Sequence, residues 1–255
     1  MPEPIDSVHA VAQALLQARQ GGPGANANAF AITTPQQAYQ VQALVLRALD
    51  GHDGPHRYWK SGGPSREATL THAPLPAVNV WTSPADARDH PFRLRLIEAE
   101  VALRLGRDVT PADAAAVTPA DARAWVEAMA VSIEVVDLRW QQGTQAAPLA
   151  KLADLQAHGA LVIGDWRPFE ARDWAAQACT VQIGQAEPQR FRGTHSLGDP
   201  AWLLPTWLRH LTRDGATVPR GTVVTTGTWC GMLPAQKGDL VQARFEGIGS
   251  ASVQL

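Results

Sequence analysis

Two short apolar runs in this chain carry carboxylates on faces that a globular protein ordinarily fills with hydrocarbon, and they restrict its possible folds more than any other feature. Side chains of a β-strand alternate between faces. Across residues 93–107, Leu94, Leu96, Glu98, Glu100 and Ala102 therefore share one side, while Ile97, Ala99, Val101 and Leu103 share the other. Glu134 repeats the anomaly within residues 131–136, which otherwise read as an ordinary buried strand. A carboxylate taken out of water without a partner is costly, and neighbouring carboxylates repel, so something cationic must compensate them. Arg93, Arg95 or Arg104 at a sheet edge could do so, and so could a metal ion. The third glutamate favours the metal. Hard oxygen ligands with no His or Cys beside them suit Mg²⁺ or Mn²⁺ better than zinc, with positions left open for water or substrate.

The elements around these runs follow from periodicity. Apolar residues at helical spacing predict an amphipathic helix over residues 5–20, stopped by Gly21-Gly22-Pro23-Gly24. A second helix is expected from Pro35, capped by Thr34 and ending near Gly51. Residues 52–92 are broken by Pro and Gly and read as loops and short strands carrying Tyr58-Trp59-Lys60-Ser61-Gly62-Gly63. A helix is expected over residues 118–129, and another over 200–213, where Asp199 caps and Pro200 opens it. Strands are expected at 160–163, 179–183, 222–226, 240–245 and 251–253, so the second half is mainly β.

A chain of 255 residues can form one sheet-rich domain, and its 45% hydrophobic and 18% charged content is that of a folding chain. The formal net charge of −2, without a dense Lys/Arg run, argues against nucleic acid. Two cysteines, Cys179 and Cys230, are too few for a disulfide framework or a thiolate zinc site and point to a reducing compartment. No basic leader precedes an apolar stretch, and no uncharged run approaches roughly eighteen residues. The expectation is a cytoplasmic protein with no membrane partner. His158 and His195 read as hydrogen-bonded structural residues, and Asp137 as a partner of Arg139. No phosphate loop, dinucleotide fingerprint or Gly-x-Ser-x-Gly elbow is present.

The order Ile97-Glu98-Ala99-Glu100-Val101, then Ile133-Glu134-Val135-Val136-Asp137, Ala153-Asp154, and Phe245-Glu246-Gly247-Ile248-Gly249-Ser250 resembles the fumarylacetoacetate hydrolase superfamily. Within it the chain is similar to the 2-keto-4-pentenoate hydratase and 4-oxalocrotonate decarboxylase branch. The resemblance implies an α+β fold with a β-rich mixed-sheet core wrapped by helices. It implies a single catalytic domain over 1–255, with a helical N-terminal region at 1–52 and the metal-binding core at 93–255. It also implies a homodimer or larger homo-oligomer. It assigns Mg²⁺ or Mn²⁺ to Glu98, Glu100 and Glu134, catalytic roles to Lys60 and Asp154, and substrate contacts to Ser61, Thr226 and Gly227. The branch usually follows its lysine with a Gly-Leu-Thr-like stretch and its Ala-Asp with Asn; here stand Ser61-Gly62-Gly63 and Leu155.

The activity so implied is that of a metal-dependent lyase on short 2-keto acids. It would hydrate 2-hydroxypenta-2,4-dienoate to 4-hydroxy-2-oxopentanoate, with the metal holding the charge of an enolate. Lys60 would either move protons with a depressed pKa or stay charged and hold the substrate carboxylate. Decarboxylation of an oxo-dicarboxylate such as 4-oxalocrotonate and C–C hydrolysis of an acylpyruvate would use the same electron sink. Hydrolysis needs a base, commonly a histidine dyad in that branch; the N-terminal half shows no convincing one, with His52 and His56 its nearest candidates. A non-catalytic keto-acid-binding protein of the same fold is the alternative from another class.

Overall fold

The computed structural model describes residues 7–51 and 55–255. In chain order the regular elements are α1 (Ser7–Arg19), α2 (Pro35–Asp50), β1 (Tyr58–Gly62), β2 (Thr71–Leu75), β3 (Val80–Thr82), β4 (Ala85–Asp86), β5 (Leu96–Leu105), α3 (Pro111–Ala116) and β6 (Val126–Val136). They continue with α4 (Pro148–Ala153), β7 (His158–Ile163), β8 (Arg167–Pro168), β9 (Ala178–Ile183), β10 (Gln189–Arg192), α5 (Leu204–Thr212), β11 (Val223–Thr225), β12 (Leu233–Pro234), β13 (Leu240–Phe245) and β14 (Gly249–Gln254).

The long strands form two mixed sheets. The larger runs β2-β1-β11-β5-β6-β7-β3, with β12 also on β5 and β8 on β6; the smaller runs β10-β9-β13-β14-β4. Alternation decides how they stack. Ile97, Ala99, Val101, Leu103, Val131, Ile133 and Val135 turn one face of the large sheet into the main core, where Val241, Phe245 and Val253 of the small sheet meet them. The same alternation forces Glu98, Glu100 and Glu134 onto the opposite face.

On that opposite side the N-terminal helices cover one end of the sheet. Val11 and Leu15 of α1 and Val41 and Val45 of α2 share a second cluster with Val136, Trp140, Leu152 and Leu155. The described part of the first predicted helix is α1; Ile5 lies outside the described residues. The start of α2 forms as its sequence requires: Thr34 accepts from the Gln37 N–H while Gln37 reaches back to the Thr34 N–H, and Gly51 closes the helix in the left-handed conformation.

One expectation fails. Residues 118–129 are not a helix. Asp121 binds the Thr118 N–H and hydroxyl and closes a single turn, a short 3₁₀ segment follows at Ala122–Trp125, and β6 begins at Val126. The helical pattern was overridden because β5 and β8 offer residues 126–129 a ladder for their backbone groups, and burial on both faces outweighs the weak local preference of an Ala-rich run.

Candidate metal centre

Four adjacent strands assemble the site. Antiparallel register sets Glu98 directly opposite Glu134 and Glu100 opposite Ser132. Parallel register sets Lys60 opposite Thr225, which pairs in turn with Ala102 of β5. β11 and β12 pair with the two ends of β5, and the residues between them leave the ladder beside Glu98 and Glu100. There the Trp229 N–H bonds the Ala99 carbonyl, the Gly227 N–H donates to Glu100 at 2.9 Å, and a cavity of about 510 Å³ opens over the carboxylates. That volume lies within the range of small-molecule sites.

The carboxylates are held in different ways. Glu134, fully buried, receives both oxygens' bonds from Lys60 Nζ at 2.7 Å, and His158 Nδ1 lies 3.1 Å from its Oε1. Glu100, 1% exposed, accepts from the Thr225 hydroxyl and Gly227 N–H. Ligand oxygens of Glu98, Glu100 and Glu134 all lie within 4.8 Å of one another.

Three carboxylates face one ammonium, and the imbalance shows in their acidities. Burial pushes Glu98 up to about 8, with Lys60 opposing and Glu100 and Glu134 adding to the rise. Burial, followed by Glu134, also raises Glu100 despite the Thr225 and Gly227 donors. At Glu134 burial works against ionisation, yet Lys60 and then His158 outweigh it and hold the carboxyl below its ordinary value. Lys60 is the mirror image: burial disfavours its charge, but Glu134 foremost keeps it above the usual lysine range. His158, pushed down to about 4 by burial against the pull of Glu134, is neutral at neutral pH and donates through Nδ1.

A divalent cation fits this donor set. Ionised, the three carboxylates and Lys60 sum to −2, which one such cation neutralises. Opposed oxygens about 4–5 Å apart match oxygen ligands at roughly 2.0–2.6 Å. Among the described residues Glu134 Oε2 has only Lys60 as its partner and keeps a lone pair for a metal. The competing arginine pairing is absent among the described residues: Arg104 binds Glu127 at 2.7 Å, Arg93 donates to the Gly22 carbonyl, and Arg95 lies against the Phe92 ring.

The structure brings some of the sequence-predicted residues together and not others. Lys60, Ser61 and Gly227 line the cavity with Glu98 and Glu100. Ser61 does so beside Lys60, but its Oγ is bound to His72 Nδ1 at 2.8 Å. Thr226 and Asp154 lie outside the cavity lining. Thr226, just after β11, is buried; its hydroxyl donates to the Val101 carbonyl of β5 and its carbonyl bonds His195 Nε2. Asp154, also fully buried, does not reach the cavity; it accepts from Arg139 N and Nε and from Arg19, because two buried guanidiniums need an anion there. Asp137 lies 3.4 Å from Arg139 and accepts from the Arg93 and Leu94 N–H groups. His52 lies outside the described residues, and His56 sits against Trp59 and Asp50, away from the triad.

Two contributors were missed: Thr225 and Gln156, whose carbonyl accepts from Lys60 at 3.1 Å; His158 is the hydrogen-bonded structural residue expected, with Glu134 as its partner. Strand pairing could have found Thr225, had the parallel partner of β1 been legible. Nothing local marks Gln156.

Comparison with known proteins agrees with this geometry. Residues 76–255 match the fumarylacetoacetate (FAA) hydrolase C-terminal family, a segment that contains all three glutamates but not Lys60. Over 159 residues the chain is 31% identical to 2-keto-4-pentenoate hydratase 1 of Dechloromonas aromatica (strain RCB), and it is 31% identical over 162 residues to hydratase 2 of the same organism. These alignments cover 61% of this chain and 58% of the length of those relatives. In fold it is similar to 4-oxalocrotonate decarboxylase from Pseudomonas putida G7 complexed with magnesium and adipate, with TM-score 0.83 and 21% identity over 98% of this chain and 97% of that one. Fumarylpyruvate hydrolase from Pseudomonas aeruginosa in complex with Mn²⁺ and pyruvate is a more distant likeness, at TM-score 0.53 and 16% identity over 81% of this chain and 93% of that one. By the matched segment, the mixed-sheet architecture and the carboxylate triad, the chain belongs to the fumarylacetoacetate hydrolase family.

Proposed function

We propose that this protein is a metal-dependent lyase that adds water to 2-hydroxypenta-2,4-dienoate, giving 4-hydroxy-2-oxopentanoate, with the chain working as one catalytic unit in a homodimer or larger assembly. The observation that carries the reading is a cluster of three carboxylates, with one fixed ammonium, under a cavity whose other lining residues are uncharged. A divalent cation on Glu98, Glu100 and Glu134, Mg²⁺ or Mn²⁺ by the chemistry of the donors, supplies Lewis-acid stabilisation of negative charge on the 2-oxo oxygen.

The chain's own residues do the rest. Thr225 and Gly227 orient Glu100, while Lys60 and His158 orient Glu134. Lys60, held charged, attracts the substrate carboxylate rather than removing protons. As the dienol gives up its 2-hydroxyl proton, C5 takes one up, giving the conjugated 2-oxo-3-enoate; water then adds at C4, losing one proton while C3 takes one up. Phe191 and Trp229 flank this region and suit a short hydrocarbon tail. An oxo-dicarboxylate would bring a second carboxylate to a wall without a second cation, so hydration is favoured over decarboxylation.

The test is ultraviolet: loss of the dienoate absorbance with Mg²⁺-loaded protein, abolished by chelator and by Glu98→Ala, with the product identified. Carbon dioxide release from 4-oxalocrotonate would replace hydration by decarboxylation. Ligand-induced stabilisation without turnover would mark a binding protein. Light scattering that finds a monomer would remove the assembly from the reading.

A further inference from the structure

Leu155, Gln156 and Ala157 have φ of 50°, 53° and 63°, and among the described residues no other non-glycine residue has positive φ. A left-handed turn of three side-chain-bearing residues is strained, and strain of this kind persists only where the surroundings over-determine it. Here they do. Arg139 spans the turn, binding the Asp154 carboxylate at its start through Nε at 2.8 Å and the His158 carbonyl at its end at 2.8 Å. The Asp137 N–H donates to the Ala157 carbonyl. Gln156 Nε2 donates to Thr71 Oγ1 of β2, and Gln42 of α2 bridges the neighbouring His72 and Leu152 carbonyls.

What this bracing delivers is one carbonyl. A lysine ammonium has three N–H donors. Two of those of Lys60 go to Glu134, and the third meets Gln156 O at 3.1 Å. We infer that the left-handed turn at Leu155–Ala157 is a positioning device for Lys60, with Gln156 anchored on Thr71 as its positioning residue and Asp154 acting only through it. The side chain of Gln156 fixes the turn; its backbone oxygen fixes the angle at which the ammonium faces the cavity. This rests on the reading of Lys60 as the cation of the active site.

Two substitutions release the anchor differently. Thr71→Val removes the acceptor for Gln156 Nε2 and leaves the turn's sequence intact, while Gln156→Gly removes the side chain and relaxes the φ strain. Thr71→Ser keeps the hydroxyl. The chain has three lysines, Lys60, Lys151 and Lys237, so labelling of the metal-free protein by an amine-acylating reagent, mapped by peptide, reads Lys60 against two internal controls. Thr71→Val and Gln156→Gly are expected to raise Lys60 labelling several-fold, to leave the controls unchanged, and to lower kcat on the dienoate on the order of ten- to a hundredfold, the scale of a small misplacement of a catalytic group. Gln156→Gly should melt at or above the wild-type temperature, which separates the effect from unfolding. Thr71→Ser should restore both readouts. Unchanged Lys60 labelling and kcat in both releasing variants would overturn the proposal. Should the wild-type protein turn over no dienoate, the function reading fails on its own, and labelling still decides what the turn does.

Discussion

Burial lifts the Glu98 carboxyl to about 8, so at neutral pH and without a cation it holds a proton beside Glu100 and Glu134. Glu98→Gln keeps the shape of that protonated form and relieves the repulsion. It is expected to raise the metal-free melting midpoint slightly, by about 2–4 °C for each kcal/mol relieved, and to abolish the further rise on adding Mg²⁺ or Mn²⁺. Glu134→Gln should act with the opposite sign. It leaves the Lys60 ammonium, whose side chain is 13% exposed, without its anion, and loss of one partner of a buried pair costs about 3–5 kcal/mol. Denaturant melts of the two metal-free variants check this; equal shifts would mean that Glu134 and Lys60 are not coupled as the distances indicate. All three glutamates were legible because a carboxylate inside an apolar alternation is anomalous wherever it occurs. Thr225 and Gln156 were not, since a threonine in a strand and a glutamine in a turn are ordinary.

Elements carry a separate dependence on pH. His72 of β2 and His210 of α5 lie with ring centroids 4.7 Å apart, next to Tyr39, Trp59 and Arg213. Burial, then His210 and Arg213, pushes His72 down to about 3; burial, then Arg213 against Asp214, pushes His210 down to about 4. The unfolded chain therefore binds more protons than the fold between these values and about 6.5. Stability contributed by the neutral rings is complete above pH 6.5 and is lost as pH falls towards 4, no more steeply than about 1.4 kcal/mol per pH unit for each imidazole. Melting midpoints from pH 7 to 4.5 measure the slope. His210→Phe, which keeps a ring against Tyr39 and cannot take up a proton, should flatten it. Strands and helices with a clear period were legible, as α2 and β5 illustrate. The 118–129 segment was not, because its Ala-rich pattern fits a helix until β5 and β8 claim its backbone.

At the scale of the whole molecule, the cation completes a fold whose central carboxylates, once ionised against Lys60, sum to −2. Binding to the native state alone stabilises by about 2.7 kcal/mol at a hundredfold excess over Kd, so the midpoint should rise with metal concentration and return on chelation. A calorimetric scan with and without chelator checks this, and an unchanged midpoint would contradict the triad as a metal site. Among the described residues no helix is long and apolar enough to cross a membrane. The alternation of residues along each strand already determined which carboxylates would be buried and that they needed a cation, since burial cost and strand period are local properties of the sequence. Only the tertiary structure decided that Lys60, from a strand thirty-eight positions earlier than Glu98, would supply the one ammonium, that Asp154 would face two arginines instead of the cavity, and that a left-handed turn would hold Gln156 against the lysine. Those outcomes depend on which strands become neighbours and in what register, and that is set by the packing of two sheets and the helices around them, not by any segment alone.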